Sequence, residues 1–284
     1  MFQTDLLKGK RILVTGGGTG LGRSMAHRFL ELGANVVICG RREDVLKQTA
    51  DELHKETGGE IETVGCDVRV ADAVEAMMDK IWEKRPLDIL VNNAAGQILA
   101  QTHKMSPRAI DAVLGIVLHG SAYCTVAAGR RWIEAGERDK VVMSILTVSS
   151  LVGAPFTVPS AMAKAGVLAM TKSLAVEWGP KGIRTCAIVP GPFPTEGAWS
   201  RLMPKERGGN DALVKTIPLR RVGEHIELAN LAAFLVSDGA AFINGDAIVI
   251  DGGKMLQSGG GGANTNAMID WTDEQWDAIR PKKK

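Results

Sequence analysis

A glycine-rich stretch near the start of the chain has the residue types and spacing that bind a pyrophosphate. Residues 15–22 follow an apolar, β-branched run directly and open a segment of helical character. Glycine lets the chain turn tightly and lets its backbone approach phosphate oxygens, and a helix N-terminus adds free N–H groups and the positive end of a dipole. Between a strand and a helix, such a stretch predicts a dinucleotide site. The candidate contacts are Gly16, Gly18, Thr19, Gly20 and Leu21.

Two arginines follow the second apolar run, where a dinucleotide site selects its cofactor. A site for NAD usually has an acidic residue here that binds the ribose 2′-hydroxyl. This chain has Gly40 at that position, followed by Arg41 and Arg42. Guanidinium groups are always charged and form paired hydrogen bonds to oxygen, so they suit a 2′-phosphate. We therefore favour NADP(H); the alternative is that both arginines are solvated charges at a helix start.

The elements that must position these residues alternate along the chain. Short β-branched runs are separated by longer segments with helical periodicity, such as 21–32, 44–56, 70–84, 161–178 and 224–236. Strand–helix alternation predicts an α/β fold with parallel strands and right-handed crossovers, and strands that are nearly all apolar indicate helices on both faces. We expect one doubly wound Rossmann-type sheet. Its strands are predicted at 11–15, 35–39, 61–66, 88–91, 141–148, 183–189 and 247–250.

The rest of the chain divides into one domain and a short extension. We interpret residues 1–256 as a dinucleotide-binding catalytic domain, because no repeat or linker interrupts it. Within it, residues 191–221 are rich in Pro, Gly, Trp and charge, which predicts a substrate lid outside the carboxyl ends of the strands. Residues 257–284 form a C-terminal extension in which Thr272 and Gln275 have capping-box spacing, so a short helix is expected there.

Composition limits the classes of partner. With 34 Lys and Arg against 32 Asp and Glu, the net charge of +2 gives no electrostatic reason to expect nucleic-acid binding. The N-terminus lacks the basic-then-apolar order of a signal peptide, and we expect no membrane span. Four scattered cysteines without metal-ligand spacing indicate reduced, buried thiols in a cytoplasmic protein and no metal site. These are Cys39, Cys66, Cys124 and Cys186.

The order and identity of the motifs resemble the short-chain dehydrogenase/reductase family. Besides residues 15–22, the matching stretches are 66–68, 92–96, 160–164 and 190–192. The resemblance implies that Asp67 and Val68 hold the adenine. It also implies that 93–96 line the path from ribose to nicotinamide, and that the chain after the Pro-Gly turn reaches the carboxamide. The cofactor residues implied in this way are Asn93, Ala94, Gly96, Lys164, Pro190, Gly191, Phe193 and Thr195.

Within this family the chain is most similar to NADPH-dependent 2,4-dienoyl-CoA reductases of the mitochondrial and peroxisomal type. The similar stretches include 158–166, 197–202, 227–235 and the tail segment 273–277. A general family member would not share the tail. The resemblance implies reduction of a dienoyl or related enoyl thioester. The alternatives are a carbonyl or alcohol dehydrogenase that has replaced its tyrosine, and a non-catalytic NADP-binding scaffold.

The catalytic positions depart from the general family pattern of Tyr, three residues and Lys. Ser160 stands at the tyrosine position and Lys164 four residues later, so a helix would place both on one face. Thr147 occupies the position of the family's catalytic serine. A ketone that accepts hydride needs a proton donor of the phenol type. A dienoyl thioester spreads the charge into a dienolate, which needs only hydrogen-bond donors at its oxygen. The resemblance implies that Lys164 binds the nicotinamide ribose and that Ser160 orients the thioester or a water.

Two further positions differ from the mitochondrial enzyme. Its active tyrosine corresponds to Ser149, and its partner asparagine corresponds to His119, just before Gly120. An imidazole can donate a hydrogen bond in any protonation state, so His119 could replace the amide. The alternatives are that His119 is a satisfied core histidine and that Tyr123, the only tyrosine, is a packing or subunit-contact residue.

Substrate and partner expectations follow from the same resemblance. Lys104 and Arg201 match basic positions that handle coenzyme A, whose phosphates need such charges; solvated surface charge is the alternative for both. The long apolar helices predicted around 109–133 and 161–178 each leave a face beyond the sheet. Since the family usually buries those faces, we expect a homo-oligomer, either a dimer or a tetramer.

Overall fold

The computed structural model describes residues 3–195, 209–258 and 268–279, and within them seven strands form one parallel sheet. The strand order is β3-β2-β1-β4-β5-β6-β7, so the prediction of a doubly wound sheet is confirmed. No predicted strand end differs from the observed one by more than three residues. The strands are β1 (Arg11–Thr15), β2 (Asn35–Gly40), β3 (Ile61–Gly65), β4 (Ile89–Asn92), β5 (Lys140–Ile145), β6 (Ile183–Pro190) and β7 (Ala247–Ile250).

Helices connect the strands and cover both faces of the sheet. Those that follow β1 to β4 are α1 (Gly20–Glu31), α2 (Glu43–Thr57), α3 (Ala71–Lys84), α4 (Pro107–Leu114) and α5 (Gly120–Glu134). Those that come later are α6 (Ser149–Val152), α7 (Val158–Trp178), α8 (Gly209–Lys215), α9 (His225–Val236), α10 (Lys254–Ser258) and α11 (Asp273–Ile279). The last of these begins directly after Thr272, whose N donates to Gln275 Oε1 at 2.9 Å, so the expected tail helix is present with its capping box.

The core lies in two layers, one on each side of the sheet. Ile12 and Val14 of β1 pack with α1, α2 and α9, whereas Leu13 between them packs with α3 and α5 on the opposite side. All five residues of β1 are buried. Alternate side chains of a strand point to opposite faces, so a strand covered on both sides needs an apolar centre, which Ile12, Leu13 and Val14 supply. The polar side chains at its two ends are buried with carbonyl partners, Arg11 with Ile81 O and Thr15 with Val91 O.

The predicted helix around 109–133 is interrupted. Gly115–His119 forms a π-helical turn between α4 and α5, which places His119 at the junction of two helical registers. Ser106 caps α4 by accepting from Ala109 N at 3.2 Å. Single π-helical turns within α-helices are rare and occur often at functional sites. Nothing in the spacing of apolar residues indicates this turn, because an extra residue shifts the helix face without removing its apolar character.

One helical stretch in the described part of the chain is long and apolar enough to cross a membrane by length and composition alone. It is Pro107–Glu134, and half of its most apolar window is buried inside the fold. On α5 that burial involves Cys124, Ala128 and Trp132, which pack against the sheet and α3. A buried core helix passes the same length and composition test, so the stretch is weak evidence for a membrane span.

Candidate active site

A cleft of about 180 Å³ opens at the carboxyl ends of the strands around β1. The chain leaves β1 towards β2 on one side and returns through β4 on the other, which is the topological switch point where α/β sheets bind ligands. The glycine-rich turn and the ends of β2 and β3 form its walls. Of the predicted cofactor contacts, Gly16, Gly18, Thr19, Arg41, Arg42, Asp67, Val68 and Ala94 line this cleft.

The glycines are required by close backbone approaches. Gly16 has a φ of +65°, and a Cβ there would lie 3.0 Å from Ala94 Cα. A Cβ on Gly22 would lie 2.4 Å from Gly16 O and 2.5 Å from Asn93 Nδ2, closer than real atoms come. Such a turn holds α1 with its N-terminus open to the cleft, as anion binding requires. The residues present therefore fit a pyrophosphate.

The side chain of Asn93 holds the glycine turn. Its Nδ2 donates to Thr15 O at 2.9 Å and to Gly16 O at 3.3 Å. Thr15 completes the connection, because its Oγ1 accepts from Asn93 N and Ala94 N, each at 3.0 Å. Thr15 thus joins β1 to the loop after β4, a role that its place in the glycine-rich motif did not indicate. Gly96 lies further along this loop, where a Cβ would be 2.9 Å from Ile116 Cδ1.

The wall at the ends of β2 and β3 is positively charged. Arg41 and Arg42 are exposed there and extend from Gly40. The side chain of Arg69 holds the Asp67 carboxylate, with its Nε 2.9 Å from Asp67 Oδ1. Hydrogen bonding by Arg69, with a further contribution from the charge of Arg41, lowers the pKa of Asp67 against the opposing effect of burial. The carboxylate is therefore ionised and fixed in the cleft.

The four cysteines are buried and free, as predicted. Burial raises the pKa of Cys66 to about 11 and that of Cys186 to about 12. Cys39 and Cys66 line the cleft, but thiols with raised pKa values are weak nucleophiles at neutral pH. Among the described residues, no group of three or more His, Cys, Asp or Glu side chains could hold a metal ion.

Lys164 is enclosed where α7 crosses the end of β5. Its side chain is almost fully buried, and its Nζ donates a short hydrogen bond to Ile145 O, the last carbonyl of β5. Burial lowers the pKa of Lys164 to about 8. In the part of the chain that the structure describes, no carboxylate pairs with this ammonium group. A buried charge without a counter-ion is costly, which favours an anionic or polyol ligand beside it.

The predicted hydroxyl donors Ser160 and Thr147 come from the two elements that meet at this lysine, α7 and the chain after β5. Ser160 lies one helical turn before Lys164 on α7, and its side chain is buried. Thr147 follows β5 by two residues, and its Oγ1 lies 2.5 Å from Ser149 Oγ. The structure therefore brings Thr147 and Ser149 into direct contact, whereas no hydrogen bond joins either of them to Ser160 among the bonds found in the described chain.

His119 is exposed and does not occupy a core position. Its ring lies against Tyr123, with 5.9 Å between ring centroids. Tyr123 packs against the hydrophobic layer of α3 and α5. The π-helical turn that carries His119 packs on α7, because Leu118 fills the space where a Cβ on Gly166 would lie. An exposed imidazole beside the lysine-bearing helix agrees with a donor role better than with a satisfied core histidine.

The remaining predicted residues lie at the edge of the site. Pro190 ends β6, and Gly191 N donates to Ile250 O at 2.9 Å. Phe193 is buried, and Thr195 approaches Gly20, whose Cβ would lie 3.3 Å from Thr195 Cγ2. Lys104 is exposed on a short 3₁₀ turn, Thr102–Lys104. Arg201 lies outside the described residues, as do residues 196–208 of the predicted lid. Leu21 packs with the layer of α1 and α9.

The fold, the glycine-rich switch point and the Ser-x-x-x-Lys helix define the class of protein. A family model described as enoyl-(acyl carrier protein) reductase matches residues 16–254, and the chain belongs to the short-chain dehydrogenase/reductase family. These oxidoreductases bind a nicotinamide cofactor, which the geometry of the cleft fits.

Two known proteins and one solved structure show what this chain is similar to within the family. The chain is 45% identical over 257 residues to a probable 2,4-dienoyl-CoA reductase 3, (3E)-enoyl-CoA-producing, of Caenorhabditis elegans, covering 89% of this chain and 83% of that protein. It is 40% identical over 252 residues to a probable 2,4-dienoyl-CoA reductase, (2E)-enoyl-CoA-producing, of Bacillus subtilis strain 168, covering 87% and 97%. A crystal structure of a gluconate 5-dehydrogenase from Burkholderia cenocepacia J2315 in complex with NADP and tartrate superposes with a TM-score of 0.82 at 32% identity, covering 89% and 98%.

Proposed function

We propose that this protein reduces the conjugated double bond of a 2,4-dienoyl-CoA or a related enoyl thioester, with NADPH as the hydride donor. The relatives named as 2,4-dienoyl-CoA reductases support the substrate class. The observation that carries the proposal is that Ser160, and not a tyrosine, lies one turn before the buried Lys164. A site without a phenol is suited to a substrate whose oxygen accumulates charge but does not need a proton of its own.

A bound NADPH would supply a hydride to the far carbon of the diene. The resulting negative charge spreads to the thioester oxygen, where protein donors must stabilise it. Lys164 keeps a positive charge close to the reacting groups. The hydroxyls of Thr147 and Ser160 can donate hydrogen bonds, and His119 can do so from the side of the π-helical turn. A proton from water then enters a carbon of the dienolate, which completes the addition of one hydride and one proton.

The preference for NADPH rests on the wall at the end of β2. Arg41 and Arg42 are exposed at the cleft, and Gly40 presents no carboxylate to a ribose 2′-hydroxyl. Guanidinium groups bind phosphate oxygens in pairs, and this pairing favours the 2′-phosphate of NADP over the bare hydroxyl of NAD.

We also propose that the protein is located in the cytoplasm. The four buried free thiols support this proposal, because the cytoplasm is a reducing compartment.

The decisive experiment mixes the protein with NADPH and a 2,4-dienoyl-CoA and follows the absorbance of the reduced cofactor. We expect turnover that Lys164→Met abolishes. Oxidation of NADPH by simple ketones, together with silence towards dienoyl-CoA, would support a carbonyl reductase instead. Tight NADPH binding without turnover of either class of substrate would support a non-catalytic scaffold.

Cofactor selection is tested separately by the double substitution Arg41→Ala, Arg42→Ala. We expect the KM for NADPH to rise about ten- to hundredfold, the cost of losing hydrogen bonds to a charged phosphate, with little change for NADH. Arg138→Ala is the matched control, because Arg138 is an exposed arginine that donates to Pro180 O far from the cleft. An equal loss for both cofactors would remove the two arginines from 2′-phosphate recognition.

A further inference from the structure

One imidazole connects the cofactor helix to the chain segment that carries Thr195. His225 is the first residue of α9. Its Nδ1 lies 2.8 Å from Ser24 Oγ on α1, and its Nε2 lies 2.6 Å from Pro194 O. The ring is half-buried between these two partners. Nothing in the sequence pattern singles out His225, because its two partners are distant along the chain.

The partners fix the hydrogens on the ring. A carbonyl oxygen can only accept, so Nε2 carries the hydrogen that it donates to Pro194 O. In the neutral ring, Nδ1 then accepts from the Ser24 hydroxyl. Ser24 Oγ also lies 3.1 Å from Gly20 O, an alternative acceptor for its single hydroxyl hydrogen. Ser24 therefore connects the imidazole to the turn residue at which α1 begins.

The segment that His225 holds is anchored on a second side as well. Gly223 N donates to Pro192 O at 2.9 Å. The ring of Phe193 lies so close to Gly223 that a Cβ there would be 2.4 Å from Phe193 Cε1. Residues 192–194 therefore rest on the loop before α9, and Thr195 comes directly after the carbonyl that His225 binds.

The strand order shows which half of the cleft lies next to residues 192–195. Arg41 and Arg42 stand at the end of β2, on one side of β1. Thr195 follows β6, which lies on the other side of β1, beyond the β5 strand whose last carbonyl binds Lys164. Thr195 thus reaches Gly20 from the half of the site opposite the arginines. If the 2′-phosphate binds at the arginines, Thr195 borders the nicotinamide half.

We propose that His225 is a positioning residue for the nicotinamide half of the dinucleotide site. It acts through Pro194 O and Ser24 Oγ, which set the distance between Thr195 and the N-terminus of α1, and it does not touch the reacting atoms. The proposal rests on the proposed NADP site, but it does not depend on which substrate is reduced.

The test compares two ligands that share the phosphorylated adenosine half. NADPH carries the nicotinamide half, whereas 2′,5′-ADP lacks it. In His225→Leu we expect the Kd for NADPH, measured by calorimetry, to rise about tenfold, the effect of losing one or two hydrogen bonds. The Kd for 2′,5′-ADP should stay within about twofold, since its contacts lie at the arginines. The KM for NADPH should rise more than kcat falls.

Companion variants separate positioning from folding. His225→Gln keeps an amide that can donate to Pro194 O and accept from Ser24, so it should recover most of the NADPH affinity. Ser24→Ala removes only one of the two bonds and should give a smaller loss in the same direction. His54→Leu is the matched control, because His54 is an exposed histidine at the end of α2 and should leave both Kd values unchanged.

The binding results for His225→Leu can be interpreted whether or not the proposed function is correct. Equal weakening of NADPH and 2′,5′-ADP in His225→Leu, or unchanged binding of both, would overturn the positioning role. If the wild-type protein binds NADH in preference to NADPH, the NADP proposal fails. The same comparison is then made between NADH and 5′-ADP. Absence of dienoyl-CoA turnover does not affect either binding measurement.

Discussion

The ammonium group of Lys164 is enclosed by protein, and its observed hydrogen-bond partner is a carbonyl oxygen and not a carboxylate. Such a group keeps its proton less firmly than an exposed lysine, because burial disfavours the charged form. The same burial strengthens the field that the charge exerts on a neighbouring ligand. Because the residue one turn earlier is Ser160 and not a tyrosine, the charge of Lys164 is the main electrostatic support for a developing anion.

The lowered pKa of Lys164 predicts a pH dependence. With a pKa of about 8, the lysine is charged at pH 7 and loses its charge as the pH rises through 8, so kcat/KM for the dienoyl thioester should fall there. Stability should change in the opposite direction. Between about 8 and the ordinary value of 10.5 the unfolded chain binds more protons, so the free energy of unfolding rises with pH.

The measurement is a pH–rate profile alongside denaturant unfolding from pH 6.5 to 10.5. Lys164→Met, in which we expect no turnover, serves as the control for unfolding, because it should lose this contribution to the stability profile. A wild-type profile that stays flat through pH 9 would contradict the assignment of the charge to Lys164.

His119 makes a separate prediction at the residue scale. If its imidazole donates to the thioester oxygen, His119→Ala should lower kcat by about 10²-fold, the usual effect of removing one such donor. His119→Asn restores a donor and should recover most of the rate. Tyr123→Phe keeps the ring that packs against His119 and is the matched control. An unchanged kcat in His119→Ala would exclude the donor role.

At the scale of elements, the turn between β1 and α1 depends on contacts between parts of the chain far apart in sequence. Asn93, which follows β4, donates to two carbonyls of the turn, and Gly22 leaves the space that these atoms fill. The glycine motif alone predicts a phosphate-binding turn. The hydrogen bonds from Asn93 after β4 hold the turn in this shape.

Gly22→Ala should therefore disrupt the packing of the turn between β1 and α1. Its Cβ would overlap Gly16 O and Asn93 Nδ2, and forcing atoms into packed space costs about 1–3 kcal/mol. We expect a lower free energy of unfolding and weaker NADPH binding together, measured by thermal unfolding with and without NADPH. Gly179→Ala is the control, because its Cβ meets Asn244 Nδ2 at an ordinary 3.5 Å. Full NADPH stabilisation of Gly22→Ala would contradict a preformed turn.

The sequence predicts these elements well and their junctions less well. All seven strands and the helices from α1 to α3 are found where period and composition predict them, because their burial on two faces or one leaves a clear apolar pattern. The π-helical turn at Gly115–His119 and the bond from Lys164 to Ile145 O have no such pattern. The first packs on α7 through Leu118 against Gly166, and the second joins a side chain of α7 to a carbonyl of β5. Residue types do not encode such contacts between separate segments locally.

At the scale of the whole molecule, the switch point of the sheet gathers the site from distant parts of one chain. The arginines come from β2, the glycine turn from β1, and Lys164 from the helix that crosses β5. Each strand contributes only its carboxyl end, so the opposite ends and the outer helix faces remain for packing. Within the described residues these groups therefore come from a single chain, and association can serve stability without contributing them.

The outer faces of α5 and α7 lead to the last prediction, that the protein is a homo-oligomer. Val126 on α5 is 51% exposed, and Met162 and Val176 on α7 are 52% and 80% exposed. The two α7 residues are fourteen positions apart, close to four helical turns, so they share a face. Burying such side chains against a second copy removes apolar surface from water.

Sedimentation velocity should show a dimer or tetramer for the wild type and a smaller species for the double variant Met162→Glu, Val176→Glu. Ile279→Glu, an equally exposed apolar position on α11, should leave the assembly intact. A monomeric wild type, or a double variant with unchanged mass, would contradict association through this face.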